Sequence, residues 1–233
     1  MKTITNLFNS ALHLFYPHNC EGCSTDVLEN DHLLCAKCYA TLAETGFMGK
    51  ENNPVEKTFY GRLQVEEAGA AYYFTQDSIM QKLIFALKYN GNKDVGLYLG
   101  KQLGKQVLQS RRFNNVDILV PLPLNAKRQF KRGYNQAELI CNGIADVINK
   151  PINTKVVLRS VHTTTQTQQS RMARWQNMKD VFDVDDLQSL EGKHILLVDD
   201  VVTTGATLEA CGTMLLNIKD VKLSIVTVAY TVL

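Results

Sequence analysis

No stretch of this chain approaches eighteen consecutive apolar residues, so nothing in it is built as a membrane-spanning helix. Internal repeats and low-complexity tracts are also missing, which excludes solenoids and fibres. Residues 1–10, Met-Lys-Thr-Ile-Thr-Asn-Leu-Phe-Asn-Ser, break their apolar positions with Asn and Ser, and no small-residue cleavage site follows. That is not a secretory signal, and the expected location is the cytoplasm. Net charge is nearly absent as well, since 25 basic residues against 23 acidic ones leave +2. What remains is ample for a core: 233 residues, 45% hydrophobic and 21% charged, suit one ordinary domain carrying a small attached module.

The near-neutral balance hides an uneven distribution. From Lys88 to Asn135 there are ten basic residues and two acidic ones, Asp94 and Asp117, so that window is +8 and the rest of the chain −6. A basic stretch inside a neutral protein points to a polyanion such as phosphate, pyrophosphate or nucleic acid. Ahead of it, Ile4, Leu7, Phe8, Ala11, Leu12 and Phe15 recur at spacings of three and four. This predicts one amphipathic helix, docked on its own domain rather than on a membrane or partner.

Four of the six cysteines form the pattern Cys20-x2-Cys23-x11-Cys35-x2-Cys38, whereas Cys141 and Cys211 stand alone in apolar helical surroundings and read as buried core thiols. In a reducing compartment two facing Cys-x-x-Cys knuckles supply four thiolates at tetrahedral geometry for Zn²⁺. A closed four-thiolate set leaves no open position, so the metal is expected to be structural; His18 and His32 are spare donors. The competing reading, a redox Cys-x-x-Cys pair, expects one motif beside a βαβ unit rather than two in tandem. A polar, turn-rich segment from Gly49 to Gln64 then reads as a connector, giving a module at 1–55 and a main domain at 56–233.

In the main domain, continuous apolar strands alternate with helices. Strands are predicted at Ala68–Phe74, Val116–Val120, Lys155–Leu158, His194–Val198 and Lys222–Tyr230. Helices are predicted at Asp77–Tyr89 with Asp77 as N-cap, Asp94–Gln109, Asn135–Ile148 and Ala206–Ile218. A polar stretch reaching Lys179 reads as a mobile loop. This alternation predicts an α/β fold with a parallel sheet covered on both faces.

The chemistry is concentrated in Ile195-Leu-Leu-Val-Asp-Asp-Val-Val-Thr-Thr-Gly-Ala-Thr207. A buried strand runs into two carboxylates, a Thr-Thr-Gly loop follows, and a helix starts at once. Asp199 and Asp200 are thereby set at the carboxyl edge of the sheet, where such folds bind ligands. The loop offers backbone N–H groups and the hydroxyls of Thr203, Thr204 and Thr207 at a helix N-terminus, a cradle for a monophosphate in which Gly205 permits close approach. The paired acids of a phosphoacceptor receiver domain are the competing reading, but those close a first strand rather than one near the end of the chain.

This segment resembles the phosphoribosyl pyrophosphate (PRPP) motif of type I phosphoribosyltransferases. Together with the four-cysteine module, Leu87-Lys-Tyr-Asn-Gly91 and Val120-Pro-Leu-Pro-Leu-Asn-Ala-Lys-Arg-Gln-Phe-Lys-Arg-Gly-Tyr-Asn-Gln136, the chain as a whole resembles the ComF family, which is associated with bacterial DNA uptake. The resemblance implies a type I phosphoribosyltransferase-like sheet with a small zinc-ribbon-like module. It also implies PRPP binding by Asp199, Asp200, Val201, Thr203, Thr204, Gly205, Ala206 and Thr207, with Asp199 and Asp200 as the catalytic acids in any transfer of phosphoribose to a nitrogen acceptor. Mg²⁺ would accompany PRPP, held mainly by ligand oxygens and water. A competence helicase or ATPase is the implied protein partner.

Pyrophosphate is expected over the loop after the Val116–Val120 strand. Pro121 and Pro123 lack the N–H groups that type I enzymes commonly offer there, so Lys127, Arg128 and Arg132 are the candidate replacements. Arg159, Arg171 and Arg174 read either as a lid over the pyrophosphate or as a solvated loop. The basic loop that carries Lys127, Arg128, Lys131 and Arg132 also interleaves Phe130 and Tyr134, a combination suited to single-stranded DNA. Two functions stay open at this point: a PRPP-binding accessory factor in DNA uptake with single-stranded DNA binding, and an active phosphoribosyltransferase of nucleotide metabolism.

Overall fold

The computed structural model describes residues 19–26, 32–155, 157–159, 182–184 and 187–232. The helix expected from Ile4 to Phe15 lies outside these residues, as do Arg171 and Arg174 of the polar stretch. In chain order the elements are α1 (Ala36–Ala40), α2 (Pro54–Phe59), β1 (Ala68–Phe74), α3 (Ile79–Tyr89) and α4 (Lys93–Ser110). They continue with β2 (Ile118–Pro121), α5 (Ala126–Arg132), α6 (Gln136–Ile148), β3 (Val157–Arg159), β4 (Phe182–Val184), β5 (His194–Val202), α7 (Ala206–Leu215) and β6 (Lys222–Thr231).

Four of these strands form one parallel sheet in the order β1-β6-β5-β2. Their runs of Val, Ile, Leu and Ala are buried on both faces, which is what helices on both sides require. On one face Leu196, Val198, Val226 and Val228 meet α3, α4 and α6; on the other Ile195, Leu197, Leu223 and Ile225 meet α2 and α7. In α4, Val95, Leu99, Leu103 and Val107 all point inward, as their spacing predicts. Cys141 and Cys211 are fully buried, and burial drives the Cys141 thiol well above its ordinary pKa.

Several local expectations are corrected. The N-cap of α3 is Ser78, whose hydroxyl accepts from Gln81 N at 3.1 Å; Asp77 instead takes a left-handed φ of 57°. The β-region backbone that an N-cap needs is therefore available at Ser78 and not at Asp77. β5 does not stop at Val198 but runs to Val202, because β6 continues beside it and pairs as far as Val202 with Tyr230. The strand expected at Lys155–Leu158 appears at Val157–Arg159, paired antiparallel with β4 outside the main sheet. The edge next to β2 is formed by Ile152, with Leu119 N donating to Pro151 O and Asn153 N to Leu119 O, both at 2.9 Å. The basic segment after β2, read from sequence as a loop, is the helix α5.

The segment from 49 to 64 is folded. Asn53, only 3% exposed, caps α2 by accepting from Val55 N and Glu56 N while its amide donates to the carbonyls of Phe47, Lys50 and Ala68. Arg112 donates to Lys50 O and Glu56 Oε1, both at 2.6 Å, and pairs with Glu67. Val55 and Phe59 enter the core beside Leu208 and Leu197.

His194 opens β5 buried, its Nε2 2.9 Å from Ser224 Oγ. Burial holds its pKa below the ordinary value, so the fold favours the neutral ring. The stabilisation is complete above the unfolded value of about 6.5 and is lost as pH falls from there towards the lower folded value. Urea midpoints measured between neutral and mildly acidic pH should fall more for the parent than for His194→Gln; parallel falls would show that another group titrates.

Candidate functional site

The candidate site lies where β2 gives up its place beside β5. Their pairing ends at Pro121 with Val198, and Leu122 N closes the ladder on Val198 O at 2.8 Å. Asp199 and the residues after it continue with β6 on one side and no β2 partner on the other. Such a step at the carboxyl ends of parallel strands opens a crevice. The turn after β2 leads into α5, and the turn after β5 leads into α7.

The turn after β5 is the Thr203-Thr204-Gly205 loop. Gly205 is the N-cap of α7 at φ 73° and has no side chain to cap the helix; Thr204 Oγ1 accepts from Ala206 N at 3.4 Å. Any other residue is excluded twice: the φ disfavours it, and a Cβ would sit 2.9 Å from both Phe59 and Thr58 of α2. The outside of the loop is held by Arg62, which donates to Thr204 O at 3.1 Å and pairs with Glu209 at 3.0 Å. The first-turn N–H groups beyond Ala206 meet no side-chain cap and are suited to an anion. Thr203, Thr204 and Thr207 are exposed there, and Val201 and Ala206 are half-buried beside them.

The two acids do not converge. Adjacent residues of a strand point to opposite faces. Asp199 is half-buried, and its Oδ1 accepts from Asp200 N at 2.8 Å. Asp200 is buried and meets the ammonium of Lys88, in the last turn of α3, at 2.7 Å. Its second oxygen, Oδ2, is sealed from solvent and has no hydrogen-bond partner among the described residues. Asp200 therefore does not fit as a ligand for hydrated Mg²⁺, since one oxygen is taken and the other is closed.

Lys88 also lines a cleft of about 630 Å³ together with Tyr89, Asn90, Gly91, Leu124, Arg128, Lys131, Arg132 and Gln136. Four cations and no carboxylate line it among the described residues, so its potential is strongly positive. Arg132 is oriented by a hydrogen bond to Gln136 Oε1 and lies over the Tyr89 ring at 5.9 Å. Of the four basic residues singled out in sequence, Arg128, Lys131 and Arg132 reach the cleft, while Lys127 is exposed and is not among its lining residues. Phe130 is 92% exposed, so α5 packs no apolar face of its own. Sequence reasoning assigned no role to two residues that hold this region together. Lys88 opens the basic window and lies in Leu87-Lys-Tyr-Asn-Gly91, but neither feature gave it a partner, and Arg62 lies in a segment read as connector.

The second cluster is the cysteine set. The four Sγ atoms of Cys20, Cys23, Cys35 and Cys38 all lie within 4.8 Å of one another, with Cys23 and Cys35 at 3.7 Å. A tetrahedral thiolate site with bonds of about 2.3 Å needs sulfurs about 3.8 Å apart, so the set fits one metal ion. Backbone N–H groups already point at the sulfurs: Gly22 N and Cys35 N to Cys20, and Cys38 N to Cys35. Burial works against ionisation of Cys20, but the N–H groups of Cys35, Cys23 and Gly22 outweigh it and bring the thiol down to about 6. Burial and the neighbouring sulfurs push Cys38 up to about 12. Gly22 is required in the first knuckle, as a Cβ there would lie 2.7 Å from Cys38 Sγ. No helix among the described residues is long and apolar enough to cross a membrane.

Residues 135–232 match the phosphoribosyl transferase domain. The chain is 31% identical over 138 residues to the "DNA utilization protein YhgH" of Salmonella typhi, covering 58% of this chain and 60% of that one. It is 31% identical over 137 residues to "Competence protein F" of Haemophilus influenzae, covering 57% and 60% respectively. With "Competence protein ComFC" of Bacillus subtilis it shares 27% over 147 residues, covering 62% and 56%. The matches span about three fifths of the length of these curated relatives.

Proposed function

We propose, for a chain that carries a phosphoribosyl transferase domain and is a relative of the competence protein F and ComFC proteins, that it is a PRPP-binding accessory factor in DNA uptake. The single observation that carries the ligand reading is the start of α7, a loop fixed by Gly205 and Arg62 where only Ala206 N, of the first-turn N–H groups, meets a side chain, the Thr204 hydroxyl. There the 5′-phosphate sits on backbone N–H groups and on the hydroxyls of Thr203, Thr204 and Thr207, while Asp199 takes a ribose hydroxyl. The diphosphate lies in the basic cleft on Arg128, Lys131 and Arg132, with Mg²⁺ on ligand oxygens and water. Zn²⁺ is the metal of the four cysteines, because four soft thiolates in a closed tetrahedral set select it.

The DNA-handling part of the reading rests on α5. Lys127, Lys131 and the 92% exposed ring of Phe130 project from a short helix that buries none of its residues. Cations that follow phosphates beside a ring that stacks on bases suit a single strand.

Calorimetric titration of PRPP into the metal-loaded protein tests the first part. Asp199→Asn should weaken binding roughly 10- to 100-fold, the range of a lost hydrogen bond to a charged group. Equal affinity in parent and variant, or no binding by the parent, sinks the assignment. For the second part, binding of an oligothymidylate should weaken with salt, and Lys127→Ala/Lys131→Ala should flatten the log–log slope by about 1.4. A slope unchanged by the substitutions would remove α5 from the interface.

A further inference from the structure

We infer that Lys88 is the resident cation of this site: held on Asp200, its ammonium bridges that carboxylate to the diphosphate of a ligand in the basic cleft, so that diphosphate binding needs no divalent cation. The inference rests on the reading of the cleft as the diphosphate site and adds what neutralises the charge there.

Asp200 is the observation that carries it. A carboxylate whose side chain is only 4% exposed is unfavourable unless a cation sits on it, and the cation provided by the fold is Lys88 at 2.7 Å. That contact occupies Oδ1, and Oδ2 is sealed without a partner. Mg²⁺ gives up its waters reluctantly and needs an open oxygen, so Asp200 contributes no ligand to it while Lys88 is there, and an ion at this site would rest on ligand oxygens and water alone. The chain's own ammonium fills the place beside the acid.

Lys88 faces two ways. An ammonium has three donors, and one is spent on Asp200. The side chain remains 23% exposed and lines the cleft, so the remaining donors are available to a bound oxyanion. Arg128, Lys131 and Arg132 line the same cleft, and guanidinium groups meet phosphate oxygens in pairs. Asp200 offsets one of the four cations, so the cleft still sets a net +3 against the negative charge of a diphosphate. Arg132 is already aimed by Gln136 and Tyr89, so little ordering is left for the ligand to impose.

The test is titration of inorganic pyrophosphate and of PRPP into the metal-loaded full chain. Buffers are freed of divalent ions by resin, with no soluble chelator that would strip the cysteine site, and Mg²⁺ is then added or left out. The parent should bind pyrophosphate with affinities that agree within about threefold with and without Mg²⁺, a difference well under 1 kcal/mol. Lys88→Met should lose roughly 10- to 100-fold in Mg²⁺-free buffer, and Lys88→Arg should keep most of the affinity. Pyrophosphate binding by the parent that disappears without Mg²⁺ overturns the inference, as does a Lys88→Met variant that binds as tightly as the parent. Should Lys88→Met fail to fold by circular dichroism, the parent with and without Mg²⁺ together with Lys88→Arg still decides. PRPP that binds only with Mg²⁺ leaves the ligand reading intact and removes Lys88 as resident cation. Mg²⁺-free binding of pyrophosphate with no binding of PRPP does the reverse, and no binding of either anion overturns both.

Discussion

Removing the metal from Cys20, Cys23, Cys35 and Cys38 should lower the melting temperature by roughly 8 to 16 °C, the equivalent of about 4 kcal/mol for a chain of this size. Among the described residues, the other ties of the cysteine knuckles to the main domain are few, chiefly Lys82 to the Gly22 carbonyl and Asn92 to Glu21. Among the module's described residues the one α-helix around the cysteines, α1, has five residues, far below the length at which a helix persists unaided. Its apolar contribution is small: Cys20, Leu34 and Cys38 join the main core beside Met80 and Leu83. Structural zinc is worth about 10–16 kcal/mol in isolated zinc-finger peptides, so a loss of about 4 kcal/mol is a conservative share for a module that also docks on a folded domain. Chelation should also open residues 19–42 to proteolysis, and Zn²⁺ added back should restore both the melt and the resistance. Cys38→Ser should mimic chelation, since it removes one of the two buried members of the set. A metal-free protein that melts with the parent would show that docking alone holds the module.

Gly143→Ala and Gly100→Ala should each cost about 3 kcal/mol, at the upper end of what an overpacked methyl does in a core. Here α4 and α6 touch through their backbones. A Cβ on Gly100 would overlap the Ile140 carbonyl oxygen and lie 2.9 Å from Gly143 Cα; one on Gly143 would overlap the Leu97 carbonyl oxygen and lie 2.7 Å from Lys101 N. Backbone cannot step aside as a flexible side chain does. Gly104→Ala should be milder, because its nearest neighbours, Val147 Cβ at 3.0 Å and the Ile144 backbone at 3.1 and 3.2 Å, stand further off. Helix propensity works the other way, favouring alanine by about 1 kcal/mol, so a stabilised Gly100 or Gly143 variant would refute the close approach. Gly49→Ala, with nothing within 4 Å of its Cβ, is the control and should stay within about 0.5 kcal/mol. Denaturant midpoints of the four variants provide the comparison.

How much of this was legible in the sequence depended on whether a feature is local. The β5 segment announces itself through four consecutive apolar residues, and the cysteine cluster through its spacing. The Thr-Thr-Gly loop is equally plain, since a strand, two acids, three hydroxyls and a helix start follow in thirteen residues. α5 was missed because Ala-Lys-Arg-Gln-Phe-Lys-Arg buries none of its residues and so shows no apolar stripe. Its boundaries were nevertheless written in Asn125, which caps it, and Gly133, which ends it at φ 79°. The pairing of Lys88 with Asp200 and the grip of Arg62 on Thr204 were beyond reach for another reason. They join residues 112 and 142 positions apart, and no periodicity in one segment encodes a contact with another. The same holds for the divergence of the two acids, which reads as a pair in sequence and becomes two faces in a strand.

The helix α3 is gripped at two points. Lys82 donates to the Gly22 carbonyl of the first cysteine knuckle at 2.9 Å, and Lys88, six residues on, holds Asp200. Along a helix that interval is about 9 Å, and every residue in it turns the axis by about 100°. One residue inserted or deleted between the two lysines would swing one of them off its target, whatever the identity of the new side chain. The spacing of the lysines is therefore a fixed gauge between the metal module and the acid in β5. Substitution within α3 is cheap at its exposed positions, such as Phe85, whereas a change in its length is not.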